Sequence, residues 1–301
     1  MRYSYIVATS GLLASVSGHG LVTSIQGANG VTMPGLSVAD GTPRDCSSNG
    51  CGSQADTSII RNRELGTEKA SALGRTEGNG PVDASVMIAN FMDASGAPTN
   101  KGAASSSGVE DDLSGLKGAN KDAKRGVLGD LLGGLTGGAG DSKGTKSETA
   151  VETTVASSAG QGSSSGLPTC SDDGSITMTF RQINQDGAGP LTADVDGTSG
   201  GTDVDAFQTA EVTQDVPGLP IGGLSLATNT DFPVTVQMPA GMTCDASVGG
   251  ADNVCIVRVR NGAAAGPFGG SAAFTQSTAA RKRAIAYRLK KRAEGQFRRL
   301  R

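Results

Sequence analysis

From residue 93 to residue 166 the chain has no aromatic side chain and is dominated by Gly, Ser, Ala, Lys and Asp. A stretch of that composition cannot bury enough apolar surface to offset the entropy of ordering it. The sequence therefore predicts a disordered insert at 93–166, open to O-glycosylation on its Ser/Thr runs. Its one apolar cluster, GVLGDLLGGLTGG at 126–138, is too interrupted by glycine to form a firm helix. A folded body must then be assembled from two separated segments, 19–92 and 167–278.

That body has little to build with. Hydrophobic residues are 36% of the 301, with 46 glycines, below the usual ~45–50% apolar share. Trp is absent, and the three tyrosines, Tyr3, Tyr5 and Tyr287, sit near the two ends. Between them lie only phenylalanines, Phe91, Phe180, Phe207, Phe232, Phe268 and Phe274. Gripping a sugar ring or a base takes exposed flat rings, so a polysaccharide platform and an RNA-reading surface are poorly supported, and no nucleic-acid partner is expected. The single histidine, His19, is the one imidazole that a Ser-His-Asp or Cys-His site would have to use. A zinc site with two imidazoles from one chain is impossible. No HExxH, P-loop or GxGxxG before a helix is present.

The ends carry addresses. Residues 1–18, MRYSYIVATSGLLASVSG, combine a basic start, an apolar run too short to span a bilayer and small residues before His19. This reads as a secretory signal peptide, so a secreted, extracellular protein without a transmembrane segment is expected. No N-x-S/T sequon is present. Five cysteines suit an oxidising route. Cys46 and Cys51 flank a short loop, and Cys244 and Cys255 flank the turn-rich TCDASVGGADNVC. These are the expected bridges, although spacing leaves connectivity open. Cys170 is then a buried free thiol in preference to a nucleophile. The tail, residues 279–301, holds ten Lys/Arg and one Glu. With a total of −3 and +1 in the leader, the rest of the chain is near −13. Such a tail can fold back on the acidic body or attach to anionic surfaces. Its dibasic pairs end at Arg283 and Arg292, where processing proteases cut secreted chains; a solvated helical tail is the equal alternative.

Period-2 patterns fill 167–278. Ile176, Met178 and Phe180 alternate with Thr177, Thr179 and Arg181. Phe232, Val234, Val236 and Met238 do the same, and Cys255 to Arg260 is a further strand. Leu191–Val195 and Phe207–Val212 are fainter candidates. Short strands between Gly, Pro and Asp turns predict a mainly β chain folded as an antiparallel β-sandwich, Ig-like or like that of the lytic polysaccharide monooxygenases. One helix is expected within Pro81–Met92, with Pro81 in its first turn and Val82, Val86, Phe91 and Met92 on its apolar face.

Several longer stretches add a family likeness. HGLVTSIQGANGVTMPGLSVADGTPRDC, QINQDGAGPLTADVDGTSGGTD, FPVTVQMPAGMTC and CIVRVRNGAAAGPFGG together resemble the fungal Egh-sixteen-like secreted virulence factors, the appressorium-specific proteins. The resemblance implies export during infection-structure formation and a part in host penetration, with no catalytic residues to carry over.

Four constellations are candidates for chemistry. Cleavage after Gly18 would make His19 the first residue, and an amine with its own imidazole suits Cu(II); the copper brace of the oxidative polysaccharide enzymes needs a second histidine, which is missing. Asp194, Asp196, Asp203 and Asp205 alternate around Gly197 and could converge on calcium, against the simpler reading of an Asp-Gly hairpin turn. A carboxylate pair for glycoside hydrolysis needs two acids roughly 5–9.5 Å apart, and acids are too plentiful here for such a pair to be informative. Gly266–Gly270 is either a recognition loop or a tight turn anchored by Phe268. The expectation drawn from all this is a virulence-associated protein at the infection structure, contacting host-surface or fungal cell-wall components by binding and not by catalysis. The alternatives are a copper-binding relative of the monooxygenases using His19, and a cell-wall glycoside hydrolase.

Overall fold

The structure is a computed structural model that describes residues 19–48, 50–98, 143–219, 223–263 and 266–299, with side chains to Gly295. The predicted signal peptide, the 126–138 cluster and residues 99–142 of the predicted insert lie outside the described residues. Among the described residues the chain forms β1 (Gly20–Gln26), β2 (Thr32–Pro34), β3 (Ser58–Ile59), β4 (Arg75–Thr76), β5 (Gly80–Pro81) and helix α1 (Ala84–Asp93). After the insert come β6 (Thr145–Lys146), α2 (Thr154–Ser158), α3 (Gly162–Ser165), β7 (Ser175–Gln182), β8 (Thr192–Asp196) and β9 (Phe207–Gln214). The chain ends with β10 (Thr230–Gln237), β11 (Ala246–Val248), β12 (Ala251–Arg260), β13 (Phe268–Thr275) and α4 (Thr278–Arg299).

The molecule is mainly β, as predicted. One antiparallel sheet runs in the order β2-β1-β7-β10-β9-β8-β12-β13-β3-β4-β5, with β6 on β10 and β11 on β12. The sheet curls into a half-barrel that brings β1 over β13, two strands far apart in that order. Leu36 N donates to Ser271 O at 2.8 Å across this seam. A side chain at Gly270 would place its Cβ 2.7 Å from Val22 N, so the seam closes only on glycine. The sandwich expected from the sequence is thus two faces of one rolled sheet.

β7 and β10 follow their alternation. Ile176, Met178 and Phe180 enter the core with Phe232, Val234 and Val236, and register pairs Phe232 with Phe180 and Val234 with Met178. Pro233 is tolerated inside β10 because β6 pairs only as far as Asp231 and β9 begins at Thr235, which leaves no ladder bond for its missing N–H. β12 lies between β8 and β13 and is buried without alternation from Val254 to Val259, as befits a strand covered on both faces.

β13 corrects the turn expected at Gly266–Gly270. Phe268 is indeed fully buried, but it opens a strand of eight residues, FGGSAAFT. The small residues that hid this strand are what its neighbours demand. A Cβ on Gly269 would lie 1.9 Å from Val259 O.

α1 also departs from its predicted register. Pro81 belongs to β5, and Asp83 is the N-cap, its side chain accepting from Ser85 N at 2.8 Å. The buried face is Ala84, Met87, Ile88 and Phe91, while Val86 is exposed. Steps of three and four from Ala84 define that face, and Val86 falls off it.

The predicted insert is shorter than its composition implied, because residues 143–166 join the body. β6 extends the edge of β10, and Val155 is fully buried. Gly162 packs so tightly on α1 that a Cβ there would meet Phe91 and Met92 at 2.7 Å. Glu152 Oε2 accepts from Arg44 Nε at 2.9 Å, while Asp56 takes the other end of the guanidinium. All three side chains are buried. Burial works against charge on Arg44, and the two carboxylates outweigh it and hold the guanidinium ionised.

Candidate functional site

Parts of three of the stretches that carry the family likeness meet around His19. His19 precedes β1, the β7–β8 loop supplies residues 183–191, and the β12–β13 loop follows Arg260. The main-chain nitrogen of His19 donates to Asn184 Oδ1 at 2.6 Å, and its carbonyl accepts from Ile183 N at 2.9 Å. The imidazole faces the Phe268 ring with centroids 4.3 Å apart. Only 2% of His19 is exposed. Gly187 runs so close that a Cβ on it would sit 2.0 Å from His19 O.

Asn261 ties the two loops together. Its Nδ2 donates to Asp186 O at 3.1 Å and Ala188 O at 3.2 Å, while its Oδ1 accepts from Phe268 N at 3.0 Å and Ala263 N at 3.2 Å. One buried amide thereby satisfies four backbone groups of two loops. Gln182, fully buried, does similar work beneath, donating to Asn184 O and Ala227 O. Sequence reasoning found His19 and missed Asn184, Asn261 and Gln182. Their signal lay in the Asn-bearing loop starts QINQDG and RNGAAAG, which the sequence reading used only for the family likeness.

The cluster's chemistry is immobilisation. The nitrogen that would become the amine on cleavage after Gly18 is hydrogen-bonded to Asn184, and the imidazole is stacked and covered. Among the described residues no three His, Cys, Asp or Glu side chains form a group able to hold a metal ion. A copper brace also needs a second histidine, and the sequence has only His19.

The four aspartates do not gather either. Asp194 pairs with Arg258 at 2.9 Å. Asp196 turns inward and accepts from Thr198 N, Ser199 N, Ser199 Oγ and Gly201 N. Burial alone would raise its pKa, but those donors prevail and lower it. Asp203 caps a 3-10 turn by accepting from Asp205 N, and Asp205 itself is exposed. Asp196 does not form the tight Asp-Gly hairpin expected there: it ends β8, pairs with Phe207 across a longer loop, and its carboxylate is consumed by that loop.

Both expected bridges are present, Cys46–Cys51 and Cys244–Cys255. Cys170 is a buried free thiol, and burial pushes its pKa up, away from nucleophilic use. Arg283 and Arg292 lie exposed on α4, which docks through buried Ala280 and Ala284. Arg281 reaches Cys244 O at 2.7 Å and Asp245 at 2.8 Å, so the basic tail does fold back on the body. A cleft of about 300 Å³ runs between α4 and the Pro239–Met242 loop, lined by Asp173, Met238, Arg283 and Tyr287 among others. No helix among the described residues is long and apolar enough to cross a membrane.

A mainly β body pinned by two bridges, with its lone histidine locked at a loop end, is the architecture of a compact protein whose surface faces outward. The chain belongs to the Egh16-like virulence factors, whose family model matches residues 17–269. It is similar to the appressoria-specific virulence factor GAS2 of Pyricularia oryzae, with 57% identity over 293 residues, covering 97% of this chain and 95% of that one. It is also similar to the appressoria-specific virulence factor GAS1 of the same fungus, with 38% identity over 133 residues, 43% of this chain and 51% of the other. No solved structure matches the chain.

Proposed function

We propose that this chain is an exported fungal virulence protein of the appressorium that assists host penetration by contact with host-surface or fungal wall components. The likeness to GAS2 over 97% of the chain supports the setting. Two disulfides favour an oxidising route. The observation that carries contact over catalysis is the state of His19. Its imidazole lies tilted against Phe268, the residue is 2% exposed in the uncleaved chain, and its main-chain nitrogen is bound to Asn184. A residue so held supports a fold and presents nothing to a substrate.

The test is complementation. A strain lacking the gene receives either the wild-type gene or a His19→Gln variant whose melting temperature matches wild type. Contact predicts equal penetration by both. Loss of penetration with an intact fold would sink the reading, as would turnover of chitin or cellulose by the purified protein that vanishes in the variant.

A further inference from the structure

Among the described residues six large hydrophobic side chains are exposed, and three of them fall within five positions of α4: Ile285 at 44%, Tyr287 at 41% and Leu289 at 60%. Helical geometry turns about 100° per residue. On that wheel the docked alanines, Ala280 and Ala284, mark the face toward the body. Ile285, Ala286, Leu289 and Ala293 fall on an arc of about 100° on the opposite side. Arg288 and Arg292 border that arc on one flank and Lys290 on the other, while Lys282 lies within it near the first turn. Arg288, Lys290 and Arg292 are all exposed. Glu294 is the one acid from Arg281 to the end of the chain.

We infer that α4 is a membrane-surface helix, which lays Ile285 and Leu289 into an anionic phospholipid bilayer while its flanking Arg and Lys side chains meet the headgroups. An apolar stripe between two cationic borders matches the layering of a lipid interface, where burial of apolar area and attraction to anionic headgroups add. Lys282 reaches the headgroups by extending its long stem outward. An acidic polysaccharide would satisfy the cations alone and leave Ile285 and Leu289 in water. The body's own acidic surface is already engaged on the opposite face through Arg281 and Asp245. The body presents the helix from a fixed base, because a Cβ on Gly241 would lie 2.8 Å from the Tyr287 ring, which shows how closely that ring rests on the Pro239–Met242 loop. The inference stands apart from the loop end around His19 and does not depend on it.

The experiment uses the secreted full chain, with intact mass confirming Arg301, in co-sedimentation with phosphatidylcholine vesicles with and without phosphatidylserine. The wild-type chain is expected to partition onto the serine-containing vesicles and to be released by high salt. An Ile285→Glu/Leu289→Glu variant and an Arg288→Gln/Arg292→Gln variant are each expected to bind about tenfold or more weakly. Both change exposed positions, so melting temperatures should match wild type. Absence of wild-type binding to anionic vesicles overturns the inference. Undiminished binding by the Ile285→Glu/Leu289→Glu variant overturns it too, and capture of that variant on polygalacturonate would assign the cations to an acidic polymer.

Discussion

Glu64 shows how a buried carboxylate contributes to acid sensitivity in this protein. Its side chain accepts from Arg75 Nε at 3.0 Å, Lys69 Nζ at 3.1 Å and Arg61 at 3.3 Å. Burial would raise its pKa, yet the three cations carry it down to about 2. A carboxyl with a depressed folded-state pKa stabilises above its unfolded value and loses that contribution as pH falls through the folded one. Urea midpoints of the wild type should therefore drop between roughly pH 4.5 and pH 2, by about 1–2 kcal/mol from this group after solvent screening. In a Glu64→Gln variant that part of the slope should be gone, and an unchanged slope would contradict the assignment. Gly269 sets a different limit. With a Cβ required 1.9 Å from Val259 O, Gly269→Ala should cost at least about 2 kcal/mol in thermal or urea denaturation, whereas Gly262→Ala, with open space around it, should cost little. Neither residue announced itself in the sequence: the cations around Glu64 converge through irregular loops without a period, and Gly269 is crowded by the neighbouring strand. His19 is the same case: its partner Asn184 is 165 residues away.

At the level of elements, legibility followed periodicity. β7 and β10 were readable because Val, Ile, Phe and Met mark one face of each, and β12 because its apolar run is continuous. β13 was not, because the sheet wraps so tightly around it that Gly, Ser and Ala are what fits. The window predicted for α1, Pro81–Met92, overlaps the observed Ala84–Asp93, but Val82 and Val86 misled its register, since an apolar residue at a strand end or on the outer face looks like a core one in one dimension. α2 and α3 were missed because their attachment depends on the Arg44–Glu152 pair and a single buried valine. That pair predicts an outcome. Glu152→Gln should lower stability by about 2–4 kcal/mol through the half-paired guanidinium it leaves inside, and hydrogen exchange should rise first across 145–165. The Cys244–Cys255 bridge closes the β11–β12 hairpin, and its removal by paired Cys→Ala changes should cost about 2–3 kcal/mol in denaturant titration. On α4, Arg283 lies beside the docked Ala284 and Arg292 lies beyond the docked turns. A protease that needs an extended substrate should therefore cut after Arg292 well before Arg283, as intact mass will show.

Taken as a whole, the molecule spends all its interior phenylalanines on structure. Phe91, Phe180, Phe232, Phe268 and Phe274 are buried, and Phe207 carries the Arg258 guanidinium 4.3 Å above its ring. Among the described residues Tyr287 is the exposed ring, and the outward apolar stripe of α4 was hidden behind its charge. The β class was legible from pattern, and the two bridges are the expected pairings that spacing had left open. The closing of the loop end was not, because it depends on three loops meeting through amide side chains that carry no periodic signal.

The anchoring of residues on both sides of the 99–142 stretch has a practical outcome. Asp83 caps α1 just before it, and β6 and the Arg44–Glu152 pair hold the chain just after it. A fluorescent reporter spliced into that stretch should leave the melting temperature of the host body unaltered, which makes it the natural place to tag this protein for imaging during infection.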